Sequence, residues 1–393
     1  MRRMTVLWEV FVARFGDAFE QYKRRRLTAD EAGELLGMSG RNFRRLCVRY
    51  EDEGIAGLRD RRIGKVSPHR ASARELARMH ELYRERYGDF TVKHFHEQLQ
   101  RRHGYKLSYT VTRLSLQAVG LVKKAKRRGA HRKKRVRRPL PGMLVFQDGS
   151  THRWIPALDR KHDLIVTLDD ATGAIYSAIL VDEEGTMSSF LGLSETITRH
   201  GLFGALYTDR GGHYFHTPKA ATKVDKSQPT QVGRALAQLG ITHIPSYSPE
   251  ARGRIERVFG TLQNRLPPEL RVAGVKTVAA ANRYLTEHFV PDYNARFAVA
   301  AAEPGSAFVP YVGRPLTDIL CVQEDRQVGR DNCVAWRRLS LQIPPQAHRH
   351  HYVKATVRVH EYPDGRLAVF DGPRRLACYD QQGRMIDASS RAA

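Results

Sequence analysis

The chain has 393 residues, 41% of them hydrophobic, enough for two to four domains with ordinary cores. Its 66 Lys and Arg outnumber 41 Asp and Glu, for a formal charge of +25. Such a surplus points to a polyanionic partner, with nucleic acid ahead of a membrane surface, because each cation placed on a phosphate releases a counterion. With no run of 18 apolar residues and no charged-then-apolar opening, neither a membrane span nor a secretory leader is expected, and the protein is read as cytoplasmic. Cys47, Cys321, Cys333 and Cys378 show no CxxC pairing or histidine spacing, so reduced thiols are expected and a zinc site is not.

Residues 5–25 carry apolar side chains at helical spacing, from Val6 and Leu7 to Phe19 and Tyr22. Thr28 and Glu31 then form a capping box that opens a helix. Gly33 and Gly37 suit a close crossing over a tight turn. Ser39 caps a second helix whose apolar face is Phe43, Leu46 and Tyr50, leaving Arg41, Asn42, Arg44 and Arg45 outward. Residues 1–66 therefore read as a helix-turn-helix with a basic recognition helix for the major groove, against the plainer reading of a helical hairpin with a solvated face.

Residues 67–122 repeat the theme. Ser72 and Glu75 cap one helix, Val92, Phe95 and Leu99 stripe the next, and a third ends at Gly120. This is expected to be a second helical DNA-binding module, with a structural spacer as a close alternative. Residues 123–139 are a basic linker without apolar period. Lys123, Lys124, Lys126, Arg127, Arg128, Arg132, Lys133, Lys134 and Arg135 are expected to track a phosphate backbone.

Residues 140–300 form an α/β core. The apolar run Met143 to Phe146 stops at Asp148, with Gly149-Ser150 breaking the strand. A hairpin follows, with one strand to Leu168, a turn through Asp170 and Gly173, and a return from Ala174 to Val181. A helix near Met187 to His200 precedes a short strand ended by Asp209, then a helix near Thr230 to Leu239, a strand Ile241 to Ile244, and a helix starting near Pro249. In that last helix Ile255, Val258, Phe259, Leu262 and Leu266 make one apolar stripe, and Glu256 lies beside it. The pattern gives a mixed five-stranded sheet with helices. Residues 301–393 alternate apolar and polar positions, with Pro363-Asp364-Gly365 as a turn, and are expected to form a small basic β-barrel.

Two strand ends and one helix thus bring Asp148, Asp209 and Glu256 toward one place. Three acids crowded at neutral pH repel unless a cation neutralises them. Hard oxygen donors select Mg²⁺ or Mn²⁺, and two such ions serve an in-line phosphoryl displacement. Asp169-Asp170 and Glu183-Glu184 compete for the first position, but a hairpin turn accounts for the former and a surface turn for the latter.

The motifs D-G-S-T-H-R-W, Y-T-D-R-G-G-H-Y and S-P-E-A-R-G-R-I-E-R-V-F-G-T-L-Q, in that order, resemble those of the DDE transposases of bacterial insertion sequences, nearest to the ISNCY group. The resemblance covers residues 140–300 in detail, and the flanking modules suit the same layout. It implies an RNase H-like, integrase-type core in which Asp148, Asp209 and Glu256 bind two Mg²⁺ (or Mn²⁺), nick the 3′ ends of an element at its terminal inverted repeats and join them to target DNA. It further implies Arg252 and Arg254 as DNA contacts, a nucleoid-associated protein and a homo-oligomer assembled on DNA. His152 is left as core or substrate-facing, and Trp154 is expected in the core. The competing class is a catalytically inactive DNA-binding repressor of a mobile element; a structure-selective nuclease is a third.

Overall fold

The computed structural model describes residues 2–61, 70–124, 135–217, 223–225, 227–247 and 249–386. It divides into two compact units, Met1–Ala73 and Arg74–Ala393. Among the described residues no helix is long and apolar enough to cross a membrane.

The first unit is helical: α1 Arg2–Lys23, α2 Ala29–Leu35 and α3 Gly40–Glu53. The expected capping box is present, with the Glu31 carboxylate accepting from the Thr28 N–H at 2.8 Å and the Thr28 hydroxyl accepting from the Glu31 N–H at 3.3 Å. A Cβ on Gly33 would stand 2.7 Å from the Met38 carbonyl oxygen, so only glycine lets the two helices approach this closely. Gly37, at φ +71°, makes the left-handed turn between them. Phe15, Phe19, Phe43 and Leu46 are buried as one aromatic core.

In the second unit α4 Ala73–Glu85, α5 Val92–His103 and α6 Tyr109–Ala118 precede the sheet. The sheet holds β1 Val145–His152, β2 His162–Asp169, β3 Ile175–Val181, β4 Ala205–Thr208 and β5 Thr242–Pro245. Its order is β3-β2-β1-β4-β5. The β1–β2 and β2–β3 pairings are antiparallel, while β4 lies parallel to β1 and to β5.

Helices cover both faces of the sheet. α7 Thr186–His200 and α8 Gln231–Gln238 pack on one side around Val145, Leu206 and Phe190. On the other lie α9 Pro249–Val272, α10 Val278–Tyr284 and α11 Val290–Phe297, against Phe146, Leu164, Val166 and Leu168. The α9 stripe Ile255, Val258, Phe259, Leu262 and Leu266 is buried throughout, at about 1.5–3 kcal/mol per side chain. The outer edge of β3 is covered by two asparagines. Asn282 exchanges hydrogen bonds with both backbone groups of Leu180, and Asn294 with those of Ile175, at 2.7–2.9 Å.

β1 differs from the expected short run: it continues through Gly149 and Ser150 to His152, because its antiparallel ladder with β2 extends to His152↔His162. The C-terminal region also differs. β6 Val322–Gln327, β9 Thr356–Glu361, β10 Leu367–Asp371, β11 Arg374–Tyr379 and β12 Met385–Ile386 form one antiparallel sheet, and β7 Cys333–Trp336 pairs with β8 Leu339–Gln342. Among the described residues no pairing joins β12 to β6, so the expected closed barrel is not shown and the sheet keeps two edges. Gln231 on α8 exchanges two hydrogen bonds with the Gln323 backbone, and Arg234 donates to the Cys321 carbonyl at 2.5 Å.

The α4–α6 module is tied to the core helices by charge. Arg265 forks onto Glu97 at 2.7 and 3.2 Å, Arg296 reaches the same carboxylate at 2.7 Å, and Arg271 forks onto Asp89. Buried His94 meets Glu269 at 2.7 Å. Burial alone would raise the Glu97 carboxyl, but Arg265 and Arg296 hold it below its ordinary 4.5. Its ionised form therefore stabilises the fold above about pH 4.5, and that contribution is lost as pH falls through the lowered value. Glu97→Ala is expected to destabilise the second unit by about 3 kcal/mol at pH 7, since it leaves the buried Arg265 without its carboxylate while Arg296 keeps Asp292, and by less at an acid pH below that lowered value. Chemical denaturation at the two pH values checks this.

Candidate active site

Asp148 and Asp209 are brought together by strand register. The parallel pairing of β1 with β4 ends at Phe146↔Tyr207, so two residues further along each chain stand Asp148, still on β1, and Asp209, just past β4. Both lie at the carboxyl side of parallel strands, where an open α/β sheet forms its crevice. α9 is fixed over this point by its stripe and by Gln263, whose amide donates to the Ser150 hydroxyl at 3.1 Å.

α9 then supplies Arg252 and, one turn on, Glu256. The Arg252 guanidinium donates to Asp148 Oδ2 at 2.5 Å and stands 3.9 Å from Asp209 Oδ2. Asp148 is 5% exposed. Burial raises its carboxyl above the ordinary 3.8, and Asp209 adds to the rise while Arg252 opposes it. Asp209 accepts the Gly211 N–H at 2.8 Å, which fixes its carboxylate in the turn after β4. Burial would lower the Arg252 guanidinium, yet Asp148, Asp209 and Glu256 hold it above its ordinary value. Glu256 is exposed and borders, with Asp209 and Arg252, an open cleft of about 520 Å³ whose rim also carries Arg210 and Tyr247.

A fourth acid that sequence reasoning assigned to a surface turn belongs here. Glu184, in the turn between β3 and α7, lies so close to Gly149 that a Cβ there would stand 2.1 Å from its carboxylate. Burial, then the charges of Asp148 and Asp209, push its carboxyl up to about 7. His213 faces it at 3.6 Å. No local signal marked Glu184: its position follows from the order β3-β2-β1, which only the folded sheet reveals.

Beneath the acids runs a buried polar layer. Tyr214 donates to Gln147 at 3.1 Å, and Gln147 donates to Thr167 and to the Ser189 carbonyl, each at 3.2 Å. This satisfies the polar groups next to Asp148 and locks α7 to β1 and β2.

Among the described residues, no group of three or more His, Cys, Asp or Glu stands close enough together to hold a metal ion as the chain lies. The donor set nonetheless fits a hard cation: Asp148, Asp209, Glu256 and Glu184 offer only carboxylate oxygen. The centre of the acids already holds a positive group, Arg252.

The remaining expected residues divide. Arg41, Arg44 and Arg45 are exposed on α3, and Asn42 accepts from Arg45 at 2.8 Å. Lys123 and Lys124 are exposed. Lys126, Arg127, Arg128, Arg132, Lys133 and Lys134 lie outside the described residues. Arg254, expected on DNA, and Arg135, expected on a backbone, both pair with the fully buried Asp170. That carboxylate sits in the β2–β3 turn, with Arg254 largely enclosed and Arg135 exposed beside it. Trp154 is fully buried, its ring N–H on the Ser150 carbonyl at 2.9 Å, and His152 is partly buried against it.

Residues 17–65 match the model of a helix-turn-helix domain. A Sinorhizobium fredii protein that carries the name transposase y4bF is 33% identical over 348 residues, 88% of this chain and 75% of that one. The transposase for insertion sequence IS1202 of Streptococcus pneumoniae is 27% identical over 302 residues, 67% of this chain and 63% of that one. Among solved structures, the HTLV-2 integrase catalytic core in complex with magnesium shares 19% identity at a TM-score of 0.28, over 37% of this chain and 83% of that one; at that score the likeness carries no weight here. With a third of its residues shared along most of both chains, the protein belongs to the transposases of bacterial insertion sequences.

Proposed function

We propose that the protein is a DDE transposase of the ISNCY group that cleaves the ends of its element and joins them to target DNA, with Asp148, Asp209 and Glu256 as the catalytic acids. The observation that carries this reading is the convergence of Asp148 and Asp209 on Arg252, with Glu256 one turn away on the same cleft. Acids drawn from the ends of two strands and from a helix, gathered around a positive group, support that reading.

Asp148, Asp209 and Glu256 would hold Mg²⁺ or Mn²⁺, as two ions. Bound there, the metal supplies Lewis acidity that activates a water or a DNA 3′-hydroxyl and stabilises the leaving oxygen. In each transfer an oxygen–phosphorus bond forms as the opposite one breaks, and the attacking hydroxyl gives up its proton. The chain's own part is electrostatic and positional: β1, the turn after β4 and α9 fix the acids, and the basic surface holds the polyanion. The α3 residues Arg41, Asn42, Arg44 and Arg45 read the terminal inverted repeats in the major groove. Lys123, Lys124 and the basic run to Lys134 track the backbone. A homo-oligomer assembled on paired ends completes the reading.

Single substitutions Asp148→Asn, Asp209→Asn and Glu256→Gln are expected to lower Mg²⁺-dependent strand transfer by about 10²–10³-fold or more. Strand transfer with the element's own terminal repeats checks it, and an acid whose loss changes nothing leaves the site. Wild-type binding without cleavage in Mg²⁺ or Mn²⁺ would instead mean a repressor. The double variant Arg41→Ala, Arg44→Ala is expected to flatten the salt dependence of repeat binding by about 0.9 in log–log slope for each phosphate no longer neutralised. Titration between low and moderate salt measures that slope, and an unchanged value would remove α3 from the interface.

A further inference from the structure

We propose that Arg252 is the resident counter-ion of the acid pair, holding Asp148 and Asp209 in the metal-free protein and leaving them for a DNA phosphate, so that DNA and divalent metal bind cooperatively. This rests on the reading of the acids given above and adds a regulation to it.

Arg252 and Arg254 sit two residues apart on α9 and have opposite surroundings. Arg254 is enclosed, 12% exposed, on a carboxylate with no access to water. Arg252 is 29% exposed and opens onto the cleft. α9 does not need Arg252 for docking, since its buried stripe and the Gln263–Ser150 hydrogen bond hold it in place. What Arg252 does is electrostatic. One nitrogen binds Asp148, the other faces Asp209, and Glu256 on the next turn adds attraction.

A guanidinium seated between the two carboxylates repels a divalent cation placed there and competes with it for Oδ2 of each acid. Metal binding therefore works against the Arg252 pair, and whatever offers Arg252 another partner favours the metal. A phosphodiester is such a partner, because its two oxygens match the guanidinium fork. DNA entering the cleft would draw Arg252 off Asp148, and by linkage bound metal would tighten DNA binding by the same factor. In the absence of DNA the acids stay neutralised internally and metal occupancy stays low.

The test is calorimetric titration of Mn²⁺ into the full chain, with and without a short DNA duplex, for the wild type, Arg252→Gln, Arg252→Lys and Asp148→Asn. In the wild type the duplex is expected to tighten Mn²⁺ binding by about tenfold. Arg252→Gln is expected to bind Mn²⁺ about tenfold more tightly without DNA and to lose most of the gain from the duplex. Arg252→Lys, which keeps the charge without the fork, is expected between the two, and it decides the matter if circular dichroism shows the glutamine variant unfolded. Arg252 variants that bind Mn²⁺ no more tightly than wild type, or that keep the full gain from DNA, overturn the proposal. Asp148→Asn is expected to lose Mn²⁺ binding. If it binds as the wild type does, the acid site itself has been misassigned, a failure distinct from that of Arg252.

Discussion

A buried carboxylate in need of a cation is the constraint around which this molecule is arranged. Asp148 is almost fully enclosed on a central strand, where an ionised acid is unfavourable unless opposite charge stands against it. Arg252 supplies that charge at 2.5 Å. The sheet order, the parallel register of β1 and β4, and the apolar stripe of α9 set the distance between the two groups. The same positive group reaches toward Asp209, and the next helical turn carries Glu256. Arg252 is thus the positive group against which Asp148 and Asp209 are set.

The second use of charge is structural. Asp170 is enclosed by Arg135 and Arg254, and Glu97 by Arg265 and Arg296. These pairs fasten the start of the sheet and the α4–α6 module to the core helices, so part of the large positive surplus holds the fold together. What remains on the surface, including the outward arginines of α3, is available to a polyanion. The α4–α6 module is therefore at least a structural partner of the core, with its orientation fixed by ion pairs whatever else it binds.

Much of this was legible in the sequence because it is local. The capping box at Thr28 and Glu31, the glycine-mediated crossing, the β2–β3 hairpin and the α9 stripe each follow from neighbouring residues, and the structure reproduces them. Asp148 and Asp209 were legible as polar stops after apolar runs, although β1 in fact continues past Asp148 because β2 still pairs with it. Glu184 was not legible, since its place depends on two antiparallel pairings. Nor was the pairing of Arg254 and Arg135 with Asp170, since a basic residue near a motif shows no partner in sequence and only the fold brings that carboxylate to it. β7 and β8 alternate as expected while β10 is buried from Leu367 to Phe370, and alternation does not determine whether a sheet closes.

The account stands on cation binding between Asp148 and Asp209. Anomalous diffraction from crystals of the protein with DNA and Mn²⁺ tests that most directly. The expected map has manganese density against both carboxylates and the Arg252 guanidinium turned onto a phosphate. Manganese bound elsewhere, or Arg252 still seated between the two acids with DNA and metal present, would contradict it.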